Sequence, residues 1–161
     1  MTYNSRKNIV GMSAGVAVVA AYIIYICTGG SPASDDVAAW ARIMIVFIGI
    51  GIISQIVIQI LFHIAYAASI AVKERDMDGE KTKKMINSSM VEDERDKLIK
   101  YKSLSIGSYC TGGGLMIALF ALAFGVSTVV ALHIIIAAST ASSLVEGCVG
   151  IFYHERGVRN G

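Results

Sequence analysis

Apolar residues fill four long stretches of this chain, at residues 9 to 28, 37 to 72, 104 to 126 and 128 to 153. The hydrocarbon core of a bilayer is roughly 30 Å thick, and about 20 helical residues cross it. Each stretch reaches that length, and in lipid only helices or closed barrels satisfy every backbone hydrogen-bonding group. The pattern therefore predicts an all-α, integral membrane four-helix bundle, formed by one transmembrane domain over residues 1 to 161.

The longest polar stretch, residues 73 to 103, separates the second and third spans. The helical pattern of the second span continues past Val72, and Ser89 to Glu92 has the spacing of a capping box, which starts a helix near Met90. We expect the two helices to leave the membrane together as a cytoplasmic helical hairpin. Few apolar residues line this hairpin, so we expect a partner protein or a second subunit to complete its core.

The positive charges indicate the orientation, because 13 of the 14 Lys and Arg residues lie at the two termini or within residues 73 to 102. Arg42 is the exception. By the positive-inside rule, both termini and the hairpin are cytoplasmic, which predicts a multi-pass protein of the cell membrane. A cleaved signal peptide is the alternative for the first stretch. Its full-span length and the lack of a small-x-small cleavage site argue against that alternative.

Polar side chains inside the predicted spans are the candidates for chemistry, because each is costly in lipid and usually faces the bundle interior or a cavity. Glu146 lies about seven residues from the inner end of the fourth span, so roughly 10 Å deep. Ser142, one helical turn before it, belongs to a stripe of small and polar residues on the same face. We therefore predict that Glu146 and Ser142 face the interior of the bundle.

A second polar stripe runs along the second span, where Gln55, Gln59 and His63 recur at every fourth position and continue to Tyr66. His63 lies about nine residues from the inner end of that span. We therefore expect His63 at a depth similar to that of Glu146, so that the two side chains are able to meet.

Three roles are possible for the pair formed by His63 and Glu146. The first is a buried hydrogen-bonded or ionic lock that fixes helix packing. The second is a site in which Glu146 binds a proton or a cationic solute and the two polar stripes line its path. The third is metal or haem ligation, which is disfavoured because His133 and His154 are poorly spaced to join His63. We expect neither a metal nor a cofactor.

Small residues also recur in the spans, at Gly11 and Gly15, at Gly112 to Gly114, and at Gly147 and Gly150. Such residues allow close approach of helices, either within the chain or across a homodimer face. Motifs of soluble enzymes such as GxGxxG, HExxH and GxSxG are absent from the sequence, so we predict no enzymatic activity. Acidic residues nearly cancel the basic ones of the hairpin, so direct nucleic-acid binding is not expected.

Residues 91 to 99, Val-Glu-Asp-Glu-Arg-Asp-Lys-Leu-Ile, precede Lys102, Ser103 and a span that contains Tyr109. This arrangement resembles the signature of a family of uncharacterised small bacterial and archaeal four-span membrane proteins, which carry an Asp-Glu-Arg-Asp motif before the third span. The resemblance implies no established activity, but such proteins are often encoded beside small helix-turn-helix regulators. The candidates for binding a cytoplasmic protein partner are Glu92, Asp93, Glu94, Arg95 and Asp96.

The sequence thus predicts a non-enzymatic, partner-binding membrane module with a regulatory or protective role. The alternative is a proton-coupled transporter or channel for a small molecule or ion, which uses buried Glu146. The surroundings of Glu146 distinguish the two functions. A cavity around it favours transport, whereas a closed core favours the binding module.

Overall fold

The computed structural model describes residues 3–73 and 94–156 of the chain. This part contains helices and short turns without a strand, which confirms the all-α prediction. A π-helical turn, Ile26–Gly30, extends the first helix. The four helices are α1 (Tyr3–Tyr25), α2 (Val37–Lys73), α3 (Glu94–Ala123) and α4 (Thr128–Arg156).

All four helices are long and apolar enough to cross a membrane. They extend beyond the apolar stretches of the sequence, since α1 already includes Tyr3 and α3 is helical from Glu94 onward. The added turns of α3 contain Glu, Arg and Lys, which have good helix propensity. The rest of the predicted hairpin, residues 74 to 93, lies outside the described residues.

Local side-chain and backbone preferences determine the two short connections between helices. At the start of α2 the carboxylate of Asp36 accepts a hydrogen bond from the backbone N–H of Ala39 at 2.9 Å, which is the geometry of a helix N-cap. Between α3 and α4, Gly125 adopts a φ of 81°, a value that residues with a Cβ rarely tolerate. We call the end of the bundle that holds these connections the turn end, and the opposite end the basic end.

The helices pack in the order α2, α1, α4, α3. The pair α3 and α4 is the tightest, because glycines of α3 face small residues of α4, as at Gly114 against Ala138. Helix α1 contacts both α2 and α4, whereas α2 and α4 have few contacts with each other. The region between α2 and α4 is therefore the least filled part of the bundle.

The hydrophobic core lies at the turn end, where Tyr22, Trp40, Met44 and Val129 are buried together. Elsewhere large apolar side chains point outward, and the most apolar window of α2 contains no buried residue. An apolar exterior around a small core is the pattern expected of a bundle surrounded by lipid.

Candidate functional site

A cavity of about 870 Å³ lies between α2 and α4. Helix α1 forms its third wall, and the first turns of α3 border it at the basic end. The cavity exists because α2 and α4 meet only near the turn end, while α1 holds them apart along the rest of their length. We call it the central cavity.

Aromatic residues close the central cavity at the turn end. The His133 Nδ1 atom lies 2.8 Å from the carbonyl oxygen of Val129, and its Nε2 atom lies 3.2 Å from the hydroxyl of Tyr22. A carbonyl only accepts, so Nδ1 donates to Val129, and a second hydrogen bond joins Nε2 to the Tyr22 hydroxyl. Trp40 packs edge-on against His133 with ring centroids 4.8 Å apart. Tyr22, Trp40 and His133 thus join α1, α2 and α4 at this end.

This aromatic group was not predicted from the sequence. The signal was present, because Tyr22, Trp40 and His133 all fall near the same end of their predicted spans. Tyr and Trp are enriched at that depth in membrane proteins generally. In the sequence, residues that contact each other there look the same as residues that only anchor their helices at the membrane interface.

Gln55 connects α2 to α1 in the middle of the bundle. Its Nε2 atom donates a hydrogen bond of 2.7 Å to the carbonyl oxygen of Gly11. A Cβ at Gly11 would lie 3.4 Å from Oε1 of the same side chain, and one at Gly15 would lie 3.6 Å from Nε2. The Gly11-x-x-x-Gly15 pair is therefore used within the chain. Both Gln55 and Gln59 line the central cavity.

Glu146 of α4 lies beside Gly107 of α3 and lines the central cavity. A Cβ at Gly107 would lie 3.3 Å from the Cβ of Glu146, so α3 passes directly along one side of it. No hydrogen bond or ion pair joins Glu146 to a residue within the described ranges. The carboxyl group is partly buried and lacks a countercharge from this part of the chain.

Ser142 has a different role from Glu146, although one helical turn separates them. Its hydroxyl donates a hydrogen bond of 2.6 Å to the carbonyl oxygen of Gly107, and its side chain is buried. The Ser142 side chain therefore links α4 to α3 by a hydrogen bond and does not line the central cavity.

The position of α2 relative to α4 along the bundle axis differs from the predicted one. Gln55 and Gly147 contact adjacent residues of α1, so Glu146 lies level with Gln55. His63 lies eight residues farther along α2, about 12 Å closer to its end. The expectation that His63 and Glu146 share a depth is wrong, because contacts with α1 set α2 and α4 in an axial position in which Gln55, and not His63, lies beside Glu146. Neither His63 nor Tyr66 lines the central cavity.

Charged side chains gather where the central cavity reaches the basic end. Asp96 Oδ1 of α3 lies 3.4 Å from Nδ1 of His154 on α4, which ties the two helices together. Lys7 of α1 and Lys100 of α3 line the same part of the cavity. In the described part of the chain, no group of three His, Cys, Asp or Glu side chains is placed to hold a metal ion.

The run proposed for partner binding, residues 92 to 96, is described from Glu94 onward. Glu94 is exposed and pairs with Lys97 one helical turn later, at 3.0 Å. Asp96 instead faces α4, where it contacts His154. Asp96 is therefore engaged with α4, whereas Glu94 lies on the exposed side of α3. Glu92 and Asp93 precede the described part of α3.

Comparison with known proteins gives no relative for this chain, since neither family models nor curated proteins nor solved structures match it.

Proposed function

We propose that this chain is a multi-pass cell-membrane protein, with both termini in the cytoplasm, that binds small organic cations in the central cavity and exchanges them for protons across the bilayer. Two features support the membrane topology. The four helices have the length and hydropathy of membrane spans, and 13 of the 14 basic residues fall, in the sequence, at the termini or in the connection between the second and third spans.

The position of Glu146 is the observation that carries the proposed transport function. A carboxylate held away from bulk water is costly unless a cation or a proton neutralises it. No cationic side chain within the described residues contacts Glu146, yet the cavity gives a solute access to it. A proton and an organic cation would therefore compete for the same carboxyl group, and that competition is the basis of exchange.

The shape of the central cavity supports access from the cytoplasm. Charged residues border it at the basic end, whereas the Tyr22, Trp40 and His133 group closes it at the turn end. Release on the other side would require this aromatic group to separate while the basic end closes. Because Tyr22 and His133 are held by one hydrogen bond and ring contacts, such a separation breaks few interactions.

Binding of a cytoplasmic protein partner, with a regulatory or protective role, is the second candidate function. It is favoured by the exposed Glu94 at the start of α3 and by the resemblance to proteins encoded beside regulators. Most of the hairpin that would bind the partner lies outside the described residues, so the cavity supports the transport proposal more strongly.

Homodimerisation through α3 is compatible with both functions, because a Cβ at Gly112 or Gly113 would meet nothing within 4 Å.

Uptake by proteoliposomes tests the transport proposal. Tetraphenylphosphonium is a suitable organic cation, and vesicles with an acidic interior supply protons to exchange for it. We expect uptake several times that of protein-free vesicles, and collapse of the pH gradient by nigericin should remove it. Equal uptake with and without the protein, at every imposed gradient, would overturn the proposal.

A further inference from the structure

The lining of the central cavity changes character along its length. On the turn-end side of Glu146 it is mainly apolar, with Val18 and Val19 from α1 and Phe47 from α2. The hydroxyl groups that line this side, those of Ser139, Thr140 and Ser143, donate to carbonyl groups of their own helix. On the basic-end side it carries hydrogen-bond donors from α1 and α3: Lys7, Asn8, Lys100 and Ser103. The acidic residue there, Asp96, is paired with His154. The cavity therefore offers an apolar region, the carboxyl group of Glu146 and then a group of donors, with the carboxyl group of Asp96 beside them in contact with His154.

Ser103 is the most informative of these donors. Its side chain is 3% exposed, and its Oγ atom has no hydrogen-bond partner among the described residues. Buried hydroxyl groups in proteins nearly always have a partner. This hydroxyl borders the cavity, so a ligand oxygen or a water molecule that the ligand holds is the partner that the site lacks.

Gly150 of α4 lets Asn8 of α1 lie close to this hydroxyl. A Cβ at Gly150 would lie 3.5 Å from Ser103 Oγ and 2.7 Å from Asn8 Nδ2, so the two donors lie against the same part of α4. The Ser103 hydroxyl and the Asn8 amide, together with the ammonium groups of Lys7 and Lys100, are able to donate to an oxyanion. This part of the cavity is suited to a negatively charged group.

The spacing between the two charged regions follows from the helix geometry. Gly150 lies four residues beyond Glu146 on α4, which places it about 6 Å closer to the basic end. A ligand that contacts both regions would carry its cationic nitrogen about 6 Å from its acidic group. Its apolar part would extend the other way, toward Phe47 and Tyr22.

We propose that the ligand of the central cavity is an amphiphilic zwitterion, in which an apolar group is followed by a cationic nitrogen and then by a carboxylate, sulfonate or phosphate. Glu146 binds the nitrogen, and the donors around Ser103 bind the acidic group. This inference rests on the proposed function, because it assigns the ligand class of the same cavity.

Three probes with the same decyl chain test the inference on the full chain in lipid nanodiscs. They are decyltrimethylammonium, the corresponding sulfobetaine with a propanesulfonate arm, and decyl sulfate. Charge-assisted hydrogen bonds to the sulfonate should make the sulfobetaine bind about tenfold more tightly than decyltrimethylammonium, with decyl sulfate the weakest. Equal binding of the sulfobetaine and decyltrimethylammonium by the wild-type protein would overturn the inference.

Variants identify the residues that bind the acidic group. Replacing both Lys7 and Lys100 with Gln should remove the tenfold advantage of the sulfobetaine over decyltrimethylammonium, because the sulfonate loses both ammonium partners. Lys97→Gln is the matched control, because Lys97 is exposed on α3 and does not line the cavity. If the double variant does not fold, Lys7→Gln alone and Ser103→Ala should each reduce the advantage, and an unchanged advantage in both would contradict the assignment.

The outcomes separate this inference from the proposed function. If decyltrimethylammonium binds in a manner that depends on Glu146 but the sulfobetaine has no advantage, only the zwitterion assignment fails. If neither cationic probe binds, the proposed function fails together with the inference.

Discussion

Glu146→Gln is expected to weaken the binding of tetraphenylphosphonium by at least about thirtyfold, because loss of one partner from a desolvated charge pair costs about 2–5 kcal/mol. Gln keeps the shape of the side chain and removes only its charge, so the fold should be retained. Scintillation proximity or microcalorimetry on the detergent-solubilised protein measures the dissociation constant.

Glu155→Gln is the matched control for this prediction. Glu155 lies on the same helix, is exposed, and does not line the central cavity. Its replacement should leave the dissociation constant unchanged within about twofold, since surface charges contribute little. Equal losses in the two variants would mean that general electrostatics, and not the cavity carboxyl group, attracts the cation.

Gly114→Ala is expected to destabilise the bundle by about 3 kcal/mol, which makes it the largest expected effect on stability. A Cβ at Gly114 would overlap the Cβ of Ala138, and that atom cannot move away because it is attached directly to the α4 backbone. The α3–α4 pair would have to separate, which would also disturb the hydrogen bond from Ser142 to Gly107. Unfolding of the protein in mixed micelles, titrated with sodium dodecyl sulfate, measures the change.

Gly113→Ala is the control, because a Cβ at Gly113 would meet nothing within 4 Å. Alanine is a better helix former than glycine by about 1 kcal/mol, so this variant should be as stable as the wild type or more stable. Two glycines that are neighbours in sequence are thus predicted to respond in opposite directions. Similar destabilisation by both substitutions would contradict the close approach of α3 to α4 at Gly114.

The helices themselves follow from the sequence, because long apolar stretches and strong local signals determine them. The start of α2 at Val37 and the turn at Gly125 are examples, since an Asp side chain caps the first and a glycine conformation permits the second. The same apolar pattern does not determine how far one helix slides past another. That stagger depends on individual contacts such as Gln55 with Gly11, which explains why His63 lies away from Glu146.

The candidate site was foreseeable only in part. Helical periodicity places Ser142 and Glu146 on one face, but that face is divided between α3 and the central cavity. Which residue faces which neighbour depends on Gly107, whose missing side chain lets α3 approach Ser142. The donors around Ser103 were not apparent, because they come from α1 and α3, which are far apart in sequence and meet only through the packing order of the bundle.

Counting the protons released on cation binding tests the central claim most directly. The purified protein in a weakly buffered solution is titrated with tetraphenylphosphonium at a series of pH values while a pH electrode records the change. We expect close to one proton released per cation bound by the wild-type protein, and none in the Glu146→Gln variant. Cation binding by the wild-type protein without proton release across the accessible pH range would contradict exchange at Glu146.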